Sequence, residues 1–350
     1  MWSAVCDRDE PAAHRAVLTA LDAGATVEDV LLDVIAAVQA KVGAEWAADR
    51  IGVAQEHAAT AIHERVVAAV SHRAPAPDAP PPGSPAAVTV ACVDGEWHAL
   101  PARILAEVLR LHGHRVDFLG AQVPTPHLVA HLHRTAPDAL ALSSSIPTRL
   151  PQAHTAITAV QAVGIPVMAG GAAFGGDGRH ARLLGADAWA PDARAAAAAL
   201  ARGLPRPPAG PRQLTDLLPH LADQEYTLVT RDKRRLVRDS LARLEQRLPA
   251  VRGYTEAQRE RTAEDLAHIV DFLAAALYTD DGRVFTDFVA WTRDVLEARR
   301  VPAAVVRAGL DALADELKDF PRALRLLAPG RDVIDARGPH APVPEPGTHA

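Results

Sequence analysis

A histidine and a carboxylate lie two residues apart in the segment 94–101, which reads DGEWHALP. An imidazole binds metals well through one ring nitrogen, and a nearby carboxylate can accept a hydrogen bond from the other ring N–H. Such a carboxylate fixes the tautomer of the ring and makes the ligating nitrogen more basic. Glu96 and His98 are therefore a candidate metal-binding pair. The alternative interpretation is that both are surface residues of an ordinary loop.

Two later segments carry small and polar residues that could hold the rest of a ligand. Ser143, Ser145 and Thr148 lie in the segment LSSSIPT, and Gly170 and Gly171 lie in the segment MAGGA. Paired glycines have no Cβ atoms, so the backbone can come close to a bound molecule. Each segment is a weak signal alone, and the three together are a stronger one. A dinucleotide site is disfavoured because the first segment lacks the pattern GxGxxG.

A third cluster lies near the start of the chain. Trp46 is followed, after nine residues, by Glu56 and His57. The pattern predicts that Trp46 lies near the end of one helix, that Gly52 breaks the chain, and that Glu56 and His57 open the next helix. Both helix ends could then point into one cavity above the domain that follows. The alternative is a core tryptophan and a glutamate that is favoured near a helix N-terminus.

The elements that position these residues follow from the apolar pattern. Over residues 86–202, strand-length apolar runs alternate with helical stretches, at 88–93, 116–119, 139–142, 167–169 and 186–189. This rhythm predicts a doubly wound parallel sheet with helices on both faces. In such sheets ligands bind beyond the carboxyl ends of the strands, where the loops after 93, 142 and 169 lie.

The rest of the chain is helical in pattern. Residues 1–73 predict a cap bundle of four short helices with breaks at Gly24 and Gly43, and residues 213–328 predict an all-α domain. The fold class is therefore α/β plus all-α. Proline-rich segments at 74–85 and 203–212 predict linkers, and residues 329–350 predict a disordered tail.

Composition excludes several classes of protein. The formal charge of −6 disfavours nucleic-acid binding, which needs a basic face. Cys6 and Cys92 cannot build a disulfide framework and have no zinc-site spacing. No apolar stretch approaches the roughly 20 residues of a membrane span, and no signal peptide is visible. We therefore expect a cytoplasmic protein that contacts neither nucleic acid nor membrane.

The segments at the strand ends resemble the cobalamin-binding domains of methionine synthase, corrinoid proteins and light-sensing MerR-type repressors. Their pattern is an acidic residue, one residue, His, two residues and Gly; Glu96 and His98 match it, whereas Pro101 occupies the Gly position. The resemblance implies that His98 is the lower axial ligand of cobalt, with Glu96 and Trp97 beside it. It also implies that the polar residues of the second segment contact the displaced cofactor base and that the paired glycines approach the nucleotide tail. These are Ser143, Ser145, Thr148, Gly170 and Gly171.

The spacing of Trp46, Glu56 and His57 resembles the signature of cobalamin-dependent photoreceptors, whose helical bundle covers the upper face of adenosylcobalamin. The resemblance implies that these three residues contact the adenosyl group or its surroundings. One departure is Ala47, which occupies the position of the histidine that captures cobalt after illumination in the light-sensing repressors. That photoproduct is therefore not expected. We also expect no DNA-binding winged helix and no direct repression of transcription.

The order of cap, cobalamin domain and helical C-terminal domain resembles the photocobilins, photoreceptors that combine cobalamin with biliverdin. For the third domain the resemblance rests on architecture alone, so its site residues come from the chemistry of a bilin, which needs polar groups near its centre, arginine for its propionates and apolar walls. The candidates are His268, Asp271, Tyr278, Trp291 and Arg293. A solvated helix face explains His268 and Asp271 equally well, and Trp291 fits a core position.

These resemblances predict a photoreceptor without a catalytic domain. Light would cleave the Co–C bond of adenosylcobalamin and change the quaternary structure of a homo-oligomer, which would signal to a protein partner. The main alternative is a corrinoid methyl carrier that serves a methyltransferase, and a third is a cobalamin-dependent regulator that acts without light.

Overall fold

The structure is a computed structural model that describes residues 1–73, 87–207 and 218–336. It divides into two compact units, Met1–Ala222 and Asp223–Ala350. The predicted linker 74–85 and residues 208–212 of the second linker lie outside the described residues. Residues 203–207 are described and form neither helix nor strand. Among the described helices, none is long and apolar enough to span a membrane.

A helical cap opens the first unit. Its helices are α1 Trp2–Cys6, α2 Glu10–Asp22, α3 Val27–Asp29, α4 Ala37–Ala47 and α5 Val53–Ser71, and a π-helical segment, Val30–Ala36, joins α3 to α4. Gly24 follows α2 with a φ of +98°, and Gly52 is the N-cap of α5. The break predicted at Gly43 is wrong, because this residue lies inside α4. A glycine there costs only about 1 kcal/mol, and its neighbour Val42 is fully buried.

A parallel sheet follows the cap. Its strands are β1 Ala87–Cys92, β2 Arg115–Gly120, β3 Ala139–Ser143, β4 Val167–Gly170 and β5 Ala188–Ala190. The five strands lie in the order β2-β1-β3-β4-β5, and each neighbouring pair is parallel. The chain therefore changes direction across the sheet between β1 and β3, which is where ligands bind in doubly wound folds. The predicted α/β fold class is confirmed.

Helices cover both faces of this sheet. They are α6 Ala99–Leu111, α7 Thr125–Thr135, α8 Leu150–Ala162, α9 Arg179–Leu183 and α10 Ala193–Ala201. Helix α6 packs on α10, and α7 packs on α8. All residues of β1 and β3 are buried, as expected for central parallel strands.

The cap and the sheet domain share one apolar core. Leu31 and Ile35 of the π-helical segment belong to the same buried cluster as Ile104 and Val108 of α6. Arg194 of α10 forms ion pairs with the cap at the edge of this contact. Its guanidinium donates hydrogen bonds to three cap carboxylates, those of Glu28, Asp29 and Asp33. The cap is therefore held against the sheet domain by burial and by charge.

The second unit is helical throughout its described residues. Its helices are α11 Glu225–Arg231, α12 Lys233–Arg247, α13 Glu256–Thr279, α14 Gly282–Ala298, α15 Ala303–Glu316 and α16 Pro321–Asp335. The tail predicted from residue 329 begins too early, since α16 continues to Asp335. Pro329 lies inside this helix, and the burial of Leu327, Gly330 and Ile334 outweighs the hydrogen bond that proline removes.

Candidate functional site

His98 occupies the N-cap position of α6, directly after the loop that follows β1. Its ring nitrogen Nδ1 lies 2.6 Å from Glu96 Oε1, and its backbone N–H donates to the same oxygen at 3.0 Å. The imidazole side chain is 58% exposed, whereas that of Glu96 is 1% exposed. Because the carboxylate holds Nδ1, Nε2 is the nitrogen that can bind a metal.

Glu96 also ties this loop to the loop that follows β3. Its second oxygen, Oε2, accepts hydrogen bonds from Ser144 Oγ at 3.1 Å and from the backbone N–H groups of Ser145 and Ile146 at 2.7 and 3.1 Å. The two loops lie on either side of the point where the chain changes direction across the sheet. A buried carboxylate with both oxygens bonded is rigid, so the position of His98 is set by two strands rather than one.

The electrostatics of the pair are strongly perturbed. Burial alone would raise the pKa of Glu96, but hydrogen bonds from His98 and Ser145 outweigh it and lower that pKa to about 2. The hydrogen bond to Glu96 raises the pKa of His98, against the opposing effect of burial. The negative charge of Glu56, in the cap, also raises the pKa of His98, so α5 and the His98 loop face the same region.

The other residues predicted to lie near Glu96 and His98 differ from one another in exposure and contacts. Trp97 is 71% exposed and points away from the core. Ser145 contributes its backbone N–H to Glu96, and Thr148 is half-buried in a short helical turn. Ser144 was missed by the sequence reasoning, although its hydroxyl bonds directly to Glu96. The run of three serines was the available signal, but sequence alone does not show which of the three faces inward.

A cavity of about 390 Å³ lies at the carboxyl ends of β3, β4 and β5. Apolar residues dominate its wall, with Gln39 from the cap and Ser143 from the sheet among the few polar ones. Cap residues and the first turns of α6 and α10 close it, and its principal lining residues are Leu32, Ala36, Leu100, Ile104, Met168, Gly170, Gly171 and Ala193. The cavity is therefore suited to a mainly apolar group.

Gly171 is required by the loop beside it. Its φ is +97°, and a Cβ atom there would lie 2.3 Å from the carbonyl oxygen of Ser144. The missing side chain thus lets the loops after β3 and β4 pack together, in addition to leaving space in the cavity. Gly170 is less demanding, because a Cβ there would lie 3.4 Å from the carbonyl oxygen of Ala190.

The cap residues lie at two neighbouring helix ends. Trp46 is half-buried in the last turn of α4, and Glu56 and His57 lie in the first turns of α5. Glu56 Oε2 is 2.6 Å from His57 Nδ1, and Glu56 Oε1 accepts a hydrogen bond from Thr60 at 3.0 Å. The side chain of His57 is 75% exposed, so its other ring nitrogen is accessible to a ligand or to solvent.

In the second unit, the five residues predicted to contact a bilin differ in exposure and in bonding partners. His268 is exposed, Asp271 pairs with Lys233 at 2.6 Å, and Tyr278 is buried. Arg293 is buried, donates to the carbonyl oxygen of Val333, and pairs with its neighbour Asp294. Trp291 is 47% exposed, so the core position considered for it is wrong. The bilin site stays a prediction.

His98 is the candidate metal ligand, and the described residues around it form no ligand cluster. In the part of the chain that the structure describes, no group of three or more His, Cys, Asp or Glu side chains could hold a metal ion. Burial raises the pKa of the nearby Cys92 thiol to about 12, so this thiol stays protonated and is a poor ligand. A metal bound by His98 must therefore bring most of its own ligands, as a metal in a macrocycle does.

Two family models match the first unit. Residues 86–201 match a B12 binding domain, and residues 1–71 match a second model that is also described as a B12 binding domain. These matches support a cobalamin-binding protein. The cobalamin-binding region thus includes both the helical cap and the sheet domain, with the His98 loop and the cavity between them.

Three solved structures are among those to which part of this chain is similar. One is the monomethylamine corrinoid protein of Methanosarcina barkeri, with 18% identity, 57% of this chain and 95% of that chain covered, and a TM-score of 0.48. A cobalamin-binding protein from Desulfitobacterium hafniense has 19% identity, the same coverages and a TM-score of 0.32. The methanol:cobalamin methyltransferase complex of Methanosarcina barkeri has 20% identity, coverages of 58% and 78%, and a TM-score of 0.29. No curated protein matches this cobalamin-binding chain.

Proposed function

We propose that this protein is a corrinoid carrier, which holds a cobalamin between its cap and its strand ends and presents it to a methyltransferase partner. The observation that carries the proposal is the Glu96–His98 pair. A buried carboxylate fixes His98 Nδ1 and leaves Nε2 directed to the exposed side of the loop. The chemistry of methyl transfer belongs to the cofactor and to the partner, and we expect no catalytic centre in this chain.

The residues present fit a corrinoid. A corrin ring would bring most of the ligands of its cobalt, so the single imidazole of His98 would be a sufficient protein ligand. The apolar cavity beside the glycine pair fits an aromatic base that no longer binds the metal, with Gly170 and Gly171 leaving room for its attached chain. Bound cobalamin would supply a cobalt–carbon bond that forms and breaks during methyl transfer.

The properties of His98 favour a carrier because methyl transfer needs a reversible lower ligand. Glu96 raises the pKa of His98, so this pair would readily hold a proton at Nε2 whenever that nitrogen is not bound to a metal. Glu96 itself stays ionised, because its own pKa is about 2, and it can stabilise the protonated ring. Release of a bound metal from His98 would therefore be accompanied by uptake of a proton at Nε2.

The coupling between release of His98 and uptake of a proton can be tested electrochemically. The quantity to measure is the midpoint potential of the cob(II)/cob(I) couple, because reduction to cob(I) should release His98. In the loaded wild-type protein we expect the potential to fall with rising pH by up to about 59 mV per pH unit, the value for one proton per electron. In His98→Ala the potential should be independent of pH. A pH-independent potential in the wild-type protein would reject proton-coupled release of His98, and with it this argument for a carrier.

A second candidate function is the adenosylcobalamin-dependent light sensor. It is favoured by Trp46, Glu56 and His57, which the structure places at two neighbouring helix ends of the cap, with the charge of Glu56 acting on His98. The helical second unit also has no assigned use in a carrier and would suit a bilin such as biliverdin. In this proposal, loss of the adenosyl group alters the cap and the packing of a homo-oligomer.

The two functions are separated by measuring molar mass with each cofactor in darkness and after illumination. Light cleaves the cobalt–carbon bond in either case, so photolysis alone does not decide. A sensor changes its oligomeric state after illumination with adenosylcobalamin, with or without biliverdin. A carrier keeps its mass and passes a methyl group to a partner methyltransferase. A mass change on adenosylcobalamin binding that light does not reverse would instead indicate a light-independent regulator.

A further inference from the structure

A continuous set of hydrogen bonds in the cap connects a buried histidine to Glu56. His63 Nδ1 lies 2.5 Å from Gln39 Oε1, and Gln39 Nε2 donates to Thr60 Oγ1 at 2.8 Å. Thr60 Oγ1 in turn donates to Glu56 Oε1 at 3.0 Å, and the other oxygen of Glu56 pairs with His57. We call His63, Gln39, Thr60, Glu56 and His57 the cap relay.

The direction of every bond in the cap relay is fixed by its neighbours. Thr60 has one hydroxyl proton and gives it to the carboxylate of Glu56, so its oxygen must accept from Gln39. The Gln39 amide therefore presents its NH2 group to Thr60 and its oxygen to His63, whose Nδ1 must carry a proton. A rotation of the Gln39 amide would break two bonds at once.

Gln39 also forms part of the wall of the cavity at the strand ends. It is thus the one residue of the cap relay among the residues that line this cavity. His63, behind it, is fully buried, and its Nε2 has no hydrogen-bond partner among the described residues. Because His63 is fully buried, a shift of Gln39 that breaks its bond to Nδ1 leaves a buried polar group unpaired and is costly.

We propose that Gln39 is a positioning residue that couples the filling of the cavity to the placement of the Glu56–His57 pair through Thr60. The coupling rests on the proposed cobalamin site, because the group that fills the cavity would be the tail of the cofactor. It gives the cap a means to respond to the tail as well as to the corrin ring. Gln39 itself need not touch the metal or its upper ligand.

The test compares cobalamin with cobinamide, which has the same ring but lacks the nucleotide tail. Protein labelled with ¹⁵N-histidine is saturated with each corrinoid, and the ring signals of His57 and His63 are assigned from their Gln variants. In the wild-type protein both signals should differ between the two corrinoids. Thr60→Val should keep the tail-dependent difference at His63 and lose it at His57. Gln39→Met should lose it at both.

Ser71→Ala is the matched control, because Ser71 lies in α5 and, among the described residues, its hydroxyl bonds only to the backbone of its own helix. It should retain both tail-dependent differences. Identical wild-type signals with the two corrinoids, or a Thr60→Val protein in which His57 still distinguishes them, would overturn the coupling while cobalamin binding stands. A wild-type protein whose addition leaves the absorption spectra of both corrinoids unchanged overturns the proposed function and the coupling together.

Discussion

Glu96→Gln changes the charge of the central carboxylate while keeping its size. In the native loop its two oxygens accept five hydrogen bonds. A glutamine has one oxygen and one NH2 group, so only one side of that set can be kept. If the oxygen stays with Ser144, Ser145 and Ile146, the NH2 group faces His98. The backbone N–H of His98 then loses its acceptor, and Nδ1 must accept instead of donating.

The cost of this change has two parts. An unpaired N–H costs about 1–3 kcal/mol when it is buried, and that of His98 is partly buried, so its cost lies at the low end of this range. A lost hydrogen bond to a charged group costs about 1.5–3 kcal/mol. We expect the free energy of unfolding to fall by about 3 kcal/mol, which lowers the Tm by about 6–12 °C for a unit of this size. The new tautomer also places the ring proton of His98 on Nε2. Cobalamin affinity should therefore fall by about 10–100-fold, as when a carboxylate behind a ligating histidine is removed.

The assay is a titration of cobalamin followed by its absorption spectrum, together with thermal unfolding of the cobalamin-free protein. Glu107→Gln is the matched control, because Glu107 is also a buried glutamate and pairs with Arg103 and Arg110 on α6, away from the His98 loop. It should lose stability but keep the wild-type spectrum and affinity. Wild-type affinity in Glu96→Gln would refute the reasoning that this carboxylate sets the tautomer of His98.

Three further predictions concern the frame of the site. Gly171→Ala should destabilise the protein by at least about 2 kcal/mol in chemical denaturation, through strain and overlap with the neighbouring loop, whereas Gly176→Ala, which meets open space, should be nearly neutral. Arg194→Ala should lower the Tm more at low salt than at about 1 M salt, where the screening length falls to about 3 Å and weakens the three ion pairs of Arg194; an equal loss at both salt concentrations would argue that these charges do not hold the cap. Burial lowers the pKa of His63 and of His154 from 6.5 to about 4. The unfolded chain therefore takes up protons at these rings before the folded protein does, and the free energy of unfolding, which is at its full value above pH 6.5, falls as the pH falls towards 4. His63→Gln should reduce that loss in unfolding curves between these pH values, and an unchanged loss would contradict the assignment.

Much of the fold followed from simple patterns. The central strands are continuous apolar runs because both of their faces are buried, and this made them visible in the sequence. The last strand was predicted at 186–189, whereas β5 spans Ala188–Ala190. Asp187 lies before the strand, and its side chain accepts a hydrogen bond from the backbone N–H of Val167 at the start of β4. Gly43 and Pro329 were misjudged because helix packing overrode their local preference against helix interiors.

The site was only partly visible from sequence. The spacing of Glu96 and His98 predicted a carboxylate behind the imidazole, and the structure brings these groups together. The three donors from the loop after β3 could not be predicted, because they depend on how two loops 48–50 residues apart meet. The role of Gln39 was equally hidden. A glutamine in a helix has no distinctive spacing, and its partners lie on a different helix.

We propose above all that an imidazole of this chain, at position 98, binds the cobalt of cobalamin. Electron paramagnetic resonance of the reduced cob(II) form tests it most directly, since the spectrum resolves the nuclear spin of the axial nitrogen. Labelling the protein with ¹⁵N-histidine should convert the nitrogen triplets to doublets, and His98→Ala should abolish the conversion. Triplets that persist in the labelled wild-type protein would show that the cofactor keeps its own base on the metal, contrary to this account.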